Sequence, residues 1–587
     1  MATSEAVPIP INPNNQWADL FVSELVACGL RAVCVAPGSR STPLTLAFAR
    51  HPAITLYLQL DERCAAFFAL GLALATERPV ALVCTSGTAA AEFHGAIIEA
   101  YQAHVPLLVL TADRPHEVRY SGANQTIDQV KMYGDHVLWS FDAPVPQANA
   151  PALVLRAWRT LACRAYALAN GIVKGPVHLN FPFRQPLEPA APPLPAMPVR
   201  EQPLVTIEQG TLQPTPQQVE QLATLIDSHE RGLIICGPSC PGGDFPVQVA
   251  QLAPRSGYPV VADPLSGVRF GPAVASGLVV GGYESYLQSS TPPWPAADVV
   301  LRFGAVPTSK WLNSYLTANP PAHMVHVQAN GIWADDSHLV TQLLQIEPTE
   351  LCRQLTARVR ARGDSAWATQ IATTEATCQQ MVARYCREHS FDGAIVAAVM
   401  ARLPAGARLM IGNSLPVRHL DQWGAPTPRP IQVFGNRGAS GIDGVTSTAL
   451  GIAAASAAPL VLITGDIAFY HDMNGLLAIQ QHGLRNVTVV LLNNNGGGIF
   501  RRLPVAKFDP PFTSLFLTPH GLDFSHVAQL YGLAHHRVDS HATFQTIFTQ
   551  SLIGKQATLI EVITDGEVDA DHQQTLVQQI QAAIKEQ

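Results

Sequence analysis

Between residues 460 and 500 the chain carries two apolar runs, Leu-Val-Leu-Ile-Thr-Gly465-Asp466 and Asn486-Val-Thr-Val-Val-Leu-Leu-Asn493-Asn494-Asn495-Gly496, separated by about one helix's worth of mixed residues. Two such runs around a helical segment predict a βαβ unit, which commits the chain to a parallel sheet with helices on its faces. Both runs end in polar clusters. Open α/β sheets bind ligands beyond the carboxyl ends of their strands, so Asp466 and Asn494 are expected side by side in space.

The same rhythm recurs from residue 16 to 185. Trp17 to Gly29 reads as an amphipathic helix and Ala32 to Ala36 as a buried strand, followed by the turn Pro37-Gly38-Ser39-Arg40-Ser41. A strand over Thr55 to Leu60 ends at Asp61-Glu62-Arg63, and an apolar helix runs on from Cys64. Val80 to Cys84 leads into Thr85-Ser86-Gly87-Thr88, and Leu107 to Leu110 into Thr111-Ala112-Asp113-Arg114-Pro115. Polar residues after each strand predict a doubly wound sheet with one functional edge. Seven prolines between Pro186 and Pro203 mark a semi-rigid linker. A second α/β block follows, with a helix from Pro216 and strands at Gly232 to Cys236, Pro259 to Ala262, Asp298 to Phe303 and His323 to Val327. Residues 348 to 390 read as helical and connective, and a third block begins near Phe391. The expected fold is therefore α/β, with three parallel-sheet domains over residues 1–190, 204–350 and 385–587.

The 587 residues, 47% hydrophobic and 14% charged, allow several large cores. A net charge of -7 gives no overall basic field for nucleic acid or an anionic membrane, so neither is expected as a partner. Met1 to Asn15 has no basic segment followed by an apolar one, and Thr448 to Thr464 is interrupted by Pro459; a soluble, cytoplasmic protein is expected. Ten scattered cysteines, several in apolar runs, read as small buried hydrophobes of a reducing compartment. Cys236 and Cys240 lack a second pair or a neighbouring histidine to complete a zinc site.

Asp466, the amide oxygen of Asn494 and the carbonyl of Gly496 offer three oxygens to a hard cation such as Mg2+, which fills the rest of its octahedron with phosphate oxygens. Gly465 and the Gly496-Gly497-Gly498 run let backbone approach a ligand closely. A Gly-Asp pair followed at this distance by Asn-Asn resembles the thiamin diphosphate (ThDP) binding signature. The chemistry of that cofactor needs a carboxylic acid beside its aminopyrimidine. Glu62, at a strand-to-helix corner, is the candidate, although an acid there is also what a helix N-terminus alone favours.

Ala36-Pro-Gly-Ser39-Arg40-Ser41-Thr-Pro-Leu, Asp61-Glu62-Arg63, Thr85-Ser-Gly-Thr, Thr111-Ala-Asp-Arg114-Pro, Gly122-Ala-Asn124-Gln125, Gly412-Asn-Ser414, Asn436-Arg437-Gly-Ala-Ser-Gly-Ile442-Asp-Gly and Asn493-Asn-Asn-Gly-Gly occur in this order along nearly the whole chain. As a set they resemble the 2-succinyl-5-enolpyruvyl-6-hydroxy-3-cyclohexene-1-carboxylate synthase family of ThDP enzymes, least closely through the middle domain. The resemblance implies the three-domain decarboxylase/carboligase fold. It also implies decarboxylation of 2-oxoglutarate and addition of the succinyl-semialdehyde carbanion to isochorismate, in menaquinone or phylloquinone synthesis. By the same resemblance Glu62 activates the cofactor, while Asp466, Asn494 and Gly496 hold Mg2+ or Mn2+, with Gly465 beside them. Ile442 props the cofactor, with Ile499 and Phe500 as its apolar wall. Ser39, Arg40, Arg114, Asn124, Gln125, Lys310, Ser414, Arg418 and Arg437 surround the substrates. Glu62 serves a cofactor held by a neighbouring subunit, which implies a homodimer or homotetramer with active sites between subunits. One position departs from the family pattern: Lys310 is followed by Trp311 in place of an arginine.

The residues also bear on competing classes. Arginines after predicted strands suit carboxylate substrates through paired, charge-assisted bonds, which argues against an acetolactate-synthase-like carboligase. A nucleotide-binding regulator lacks its loop, since no Gly-x-x-x-x-Gly-Lys-Ser/Thr occurs and Arg501 stands where Gly-x-Gly-x-x-Gly needs its last glycine. A serine hydrolase fails at Pro416, where the nucleophile elbow requires glycine.

Overall fold

The computed structural model describes residues 12–189, 196–197, 199–289 and 291–587. The start of the chain and parts of the proline-rich stretch, residues 190–195 and 198, lie outside the described residues. Three six-stranded sheets form, all parallel. The first contains β1 (Ala32–Val35), β2 (Thr55–Leu58), β3 (Val80–Cys84), β4 (Leu107–Asp113), β5 (Trp139–Asp142) and β6 (Pro176–Pro182) in the order β2-β1-β3-β4-β6-β5. The second contains β7 (Gly232–Cys236), β8 (Val260–Ala262), β9 (Val279–Val280), β10 (Val299–Phe303), β11 (His323–Val327) and β12 (Gln342–Leu344) in the order β12-β11-β10-β7-β8-β9. The third contains β13 (Arg408–Ile411), β14 (Gln432–Phe434), β15 (Leu460–Gly465), β16 (Val487–Asn493), β17 (Ala534–Val538) and β18 (Thr558–Ile563) in the order β14-β13-β15-β16-β18-β17. The first and third sheets thus share one winding. In each, the strand order reverses beside the first strand, which is where an open sheet leaves a crevice.

These strands form where the apolar runs lie because both faces of each sheet are covered. β3, β4, β6 and β16 are buried along their whole length, as parallel strands packed by helices on both sides must be. The chain divides into two compact units. One comprises residues 1–209, 436–457 and 471–484; the other comprises 210–435, 458–470 and 485–587.

Within the first unit the helix Glu62–Thr76 packs along the helix Val445–Ala454. Their backbones meet at two glycines: a Cβ at Gly71 would lie 2.0 Å from the Thr448 carbonyl oxygen, and one at Gly451 would lie 2.1 Å from that of Phe68. Within the second unit Arg269 is fully buried. It donates to the Asp421 carboxylate (3.1 Å) and to the carbonyls of Gly424, Gly281 and Asp421. Full pairing is what makes such burial tolerable.

Several boundaries differ from the sequence reading. The first helix is Pro13–Ala27, because Asn12 caps it through the Asn14 amide. β2 stops at Leu58, and the following helix starts at Glu62 with Asp61 as its cap. β4 runs on through Asp113. The single helix expected after Asp466 is three pieces, Asp466–His471, a 3-10 turn Met473–Leu476, and Leu477–His482. None of the described helices is long and apolar enough to cross a membrane.

Candidate active site

β15 and β16 are hydrogen-bonded neighbours with Gly465 opposite Leu492, so the chain leaves the sheet at Asp466 and Asn494 from adjacent strand ends. Asp466 is buried. Its Oδ2 accepts from the Gly496 amide (2.9 Å) and its Oδ1 from the Ile467 amide (2.7 Å). Burial pushes the carboxyl above its usual range, while those two amides and His520 pull it down. His520 Nε2 stands 3.3 Å from Asp466 Oδ2. Beside this carboxylate, Asn494 Oδ1 is buried without a hydrogen-bond partner. A buried orphan acceptor costs about 1–3 kcal/mol. A carboxylate and an unpartnered amide oxygen at adjacent strand ends are the donor set a hard cation takes.

The loop that follows brings its own backbone to this edge. Gly496 has φ 145, and a Cβ there would lie 2.1 Å from the Leu517 carbonyl oxygen, so only glycine lets its amide reach Asp466. Asn495 (φ 60) fixes the far side, its Oδ1 accepting from the amides of His520 and Gly521. Ile499 and Phe500 lie half-buried on the 3-10 turn Gly498–Arg502, with Phe500 edge-on to Phe516. Ser414 (φ 71) opens the helix Leu415–Trp423, and its carbonyl accepts from Arg418 Nη1 (2.6 Å). Arg418 therefore projects from that helix, one turn past the strand-end position read from sequence. Glu284, which no motif marked, is a half-buried carboxyl with Arg418 and Arg502 near enough to lower its pKa. Burial raises it, and the Ser309 hydroxyl and the Trp311 amide oppose that. Lys310 is exposed, its Nζ 5.4 Å from the centre of the Trp311 ring.

A further buried group, Asp392, His419 and Asp569, has ligand atoms within 4.8 Å of one another. Burial first, then Arg502 and Arg418, push His419 well below its ordinary value, so its ring is neutral. The same two guanidiniums oppose a metal ion there.

The first unit holds the other candidates. Arg40 follows β1 and is buried; its amide donates to Thr85 Oγ1 after β3 (3.3 Å) and its Nη1 to the Phe183 carbonyl (2.8 Å). Arg114, after β4, donates through Nε and Nη2 to the Asn124 carbonyl. Arg40, Arg114 and Asn124 line one cavity of about 430 Å3 together with Glu117, Arg184 and Gln185. Gln125 (φ 54) exchanges hydrogen bonds with Ser86 at 3.0 Å. Ser39 is exposed at the turn after β1. Burial first, then Asp61 and Glu92, raise the Glu62 carboxyl, opposed by a backbone hydrogen bond. A half-buried acid with a raised pKa is suited to sharing a proton.

Arg437 and Ile442 do not line that cavity. Their loop is held by buried Glu99, whose carboxylate accepts from the amides of Gly438, Ala439 and Ser440, and Arg437 lies close enough to lower its pKa. Glu99 went unmarked because nothing local distinguishes it from any helix glutamate.

The description "Thiamine pyrophosphate enzyme, N-terminal TPP binding domain" matches residues 15–132, "Middle domain of thiamine pyrophosphate" residues 199–411, and "Thiamine pyrophosphate enzyme, C-terminal TPP binding domain" residues 422–562. Among curated proteins, the 2-succinyl-5-enolpyruvyl-6-hydroxy-3-cyclohexene-1-carboxylate synthase of Roseiflexus sp. (strain RS-1) is 52% identical over 97% of this chain and 99% of its own. The synthase so named in Roseiflexus castenholzii is also 52% identical, with the same coverage. That of Haloquadratum walsbyi is 44% identical over 95% of this chain and 96% of its own.

The chain belongs to the 2-succinyl-5-enolpyruvyl-6-hydroxy-3-cyclohexene-1-carboxylate synthase family. It is a ThDP-dependent enzyme acting on small molecules, and its three sheets are the N-terminal, middle and C-terminal domains of that enzyme class. For a synthase of this family, β15 and β16 lie in the C-terminal cofactor-binding match, and Arg40, Glu62 and Arg114 lie in the N-terminal one.

Proposed function

We propose that the protein decarboxylates 2-oxoglutarate and joins the remaining four-carbon unit to isochorismate by 1,4-addition, giving 2-succinyl-5-enolpyruvyl-6-hydroxy-3-cyclohexene-1-carboxylate and CO2 on the route to menaquinone or phylloquinone. The observation that carries this reading is the pairing of Asp466 with the unpartnered Asn494 oxygen at adjacent strand ends. Asp466, Asn494 and the Gly496 carbonyl would hold Mg2+ or Mn2+, and the metal would hold the cofactor's diphosphate. When bound, ThDP supplies the electron sink that decarboxylation needs.

The remaining work falls to the chain's own groups. Glu62 would share a proton with the aminopyrimidine of a cofactor carried by a neighbouring subunit, an arrangement that requires a homodimer or homotetramer. Ile442 would prop that cofactor, and Ile499 and Phe500 would line the apolar wall beside it. Arg40, Arg114, Arg418 and Arg437 orient substrate carboxylates, each charge-assisted bond contributing about 1.5–3 kcal/mol. Ser39, Asn124, Gln125, Ser414 and Lys310 complete the polar surround. Domain limits of 1–190, 204–350 and 385–587 and a cytoplasmic location belong to the same reading.

Turnover tests it. With ThDP and Mg2+, 2-oxoglutarate and isochorismate should be consumed together with release of CO2, and pyruvate alone should not react. Consumption of pyruvate in place of 2-oxoglutarate would turn the assignment towards an acetolactate-type carboligase.

A further inference from the structure

The cavity beside Arg40 and Arg114 contains a charge that does not suit an anion site. Glu117 lines it, three residues beyond Arg114, and would face any bound carboxylate. Its carboxyl is taken up by Arg184, whose Nε and Nη2 contact Glu117 Oε1 and Oε2 at 2.5 and 3.0 Å. Arg184 holds that carboxyl down to about 2, so Glu117 is ionised throughout the working range. Both partners are about half exposed, at 54% and 47%. A pair so exposed adds little to stability, so holding the fold does not explain it.

The other charges near the cavity are already matched. Asp113, whose charge reaches Arg40, is bonded by the Arg114 amide, by Asn180 Nδ2 and by Arg119. Arg119 also binds Asp142, which His116 approaches at 3.2 Å. With Glu117 cancelled, Arg40 and Arg114 remain as two cations directed into one cavity of about 430 Å3. Arg40 Nε is buried without a partner, and Arg114 spends its Nε and Nη2 on a neutral carbonyl.

We propose that Arg184 is a positioning residue for a dicarboxylate substrate: by occupying Glu117 it keeps the cavity's charge positive and selects a ligand with two carboxylates over one with a single carboxylate. This rests on the reading of the Arg40 and Arg114 cavity as part of the substrate site. The position has a geometric basis as well. Arg184 follows Phe183, the residue whose carbonyl holds Arg40, so the segment after β6 supplies both the carbonyl that fixes that cation and the group that cancels the nearby anion.

The test is a charge cycle in steady-state kinetics and equilibrium binding. Arg184→Gln should raise KM for isochorismate about tenfold while kcat changes less than about twofold, since an unpaired charge next to a bound anion acts on binding. Arg184→Lys should fall between it and the wild type. The double variant Arg184→Gln with Glu117→Gln should return KM to within about twofold of wild type, because the anion that Arg184 cancels is then absent. An unchanged KM in Arg184→Gln, or a double variant as weak as the single one, would overturn the proposal. If the wild type shows no turnover with the two substrates, the function reading fails. Calorimetric titration of isochorismate into wild type, Arg184→Gln and the double variant then reads the same cycle without catalysis: weakening in the single variant and recovery in the double uphold the proposal, and equal affinities overturn it.

Discussion

At the residue scale the proposed function assigns most of the chemistry to two carboxylates, Glu62 and Asp466, and burial raises both. Glu62 is raised because the apolar helix it opens desolvates it, which suits an acid that must pass a proton back and forth. Glu62→Gln keeps shape and hydrogen-bonding reach but removes the proton. Turnover should fall about 100-fold or more, the scale of a lost proton-transfer group, while calorimetry shows ThDP binding largely intact. Unchanged turnover would take Glu62 out of the mechanism. Asp466 is held by two amides at the strand end adjacent to that of Asn494, whose Oδ1 is orphaned. Asp466→Ala removes the carboxylate at this strand end and should abolish Mg2+-dependent ThDP binding in the same calorimeter. Binding that survives would place the metal elsewhere.

Close helix packing through glycine is the decisive feature among the elements. Gly71 and Gly451 let the helices Glu62–Thr76 and Val445–Ala454 touch backbone to backbone, with contacts of 2.0 and 2.1 Å awaiting any added Cβ. Neither neighbour is a flexible side chain, so the helices themselves must part. Gly451→Ala should therefore cost about 1–3 kcal/mol, as overpacking of a tight core does, and lower the unfolding midpoint by several degrees. It should also slow turnover, because Glu62 rides on the first of these helices. A midpoint equal to wild type would show that the pair has room to relax.

For the whole molecule, a buried imidazole on β6, one strand in from the edge of the first sheet, sets a pH limit. His178 on β6 lies between Thr111 Oγ1 (2.8 Å) and Ser140, and burial holds its pKa down to about 3 from an ordinary 6.5. The folded state thus favours neutral His178, and the unfolded chain takes up a proton below about 6.5. This contribution to stability is fully present above pH 6.5 and is lost as pH falls from there towards about 3, at up to about 1.4 kcal/mol per pH unit. His178→Gln should flatten the dependence of the unfolding midpoint between pH 7 and 5, and an equally steep curve would assign the loss to other groups. Assembly belongs to this scale too. If Glu62 works on a cofactor bound by a neighbour, sedimentation should give at least a dimer, and dilution to monomer should abolish turnover without unfolding the chain.

The strand-and-turn rhythm, the parallel sheets and the polar strand ends were all legible in the sequence, because each rests on local pattern: apolar runs of strand length, glycines at turns, and polar residues directly after β1, β3, β15 and β16. Asp466 and Asn494 could be paired from the string alone, since a βαβ unit leaves its two strand ends on one edge. Only the tertiary structure decided what else meets there. His520 reaches Asp466 across a long loop, Glu99 is met by the amides of residues 438–440, Glu284 comes near Arg418 and Arg502, and Arg184 cancels Glu117. Each depends on how distant segments close on one another and on the water they exclude. A carboxylate or imidazole carries no mark of that in its neighbours along the chain.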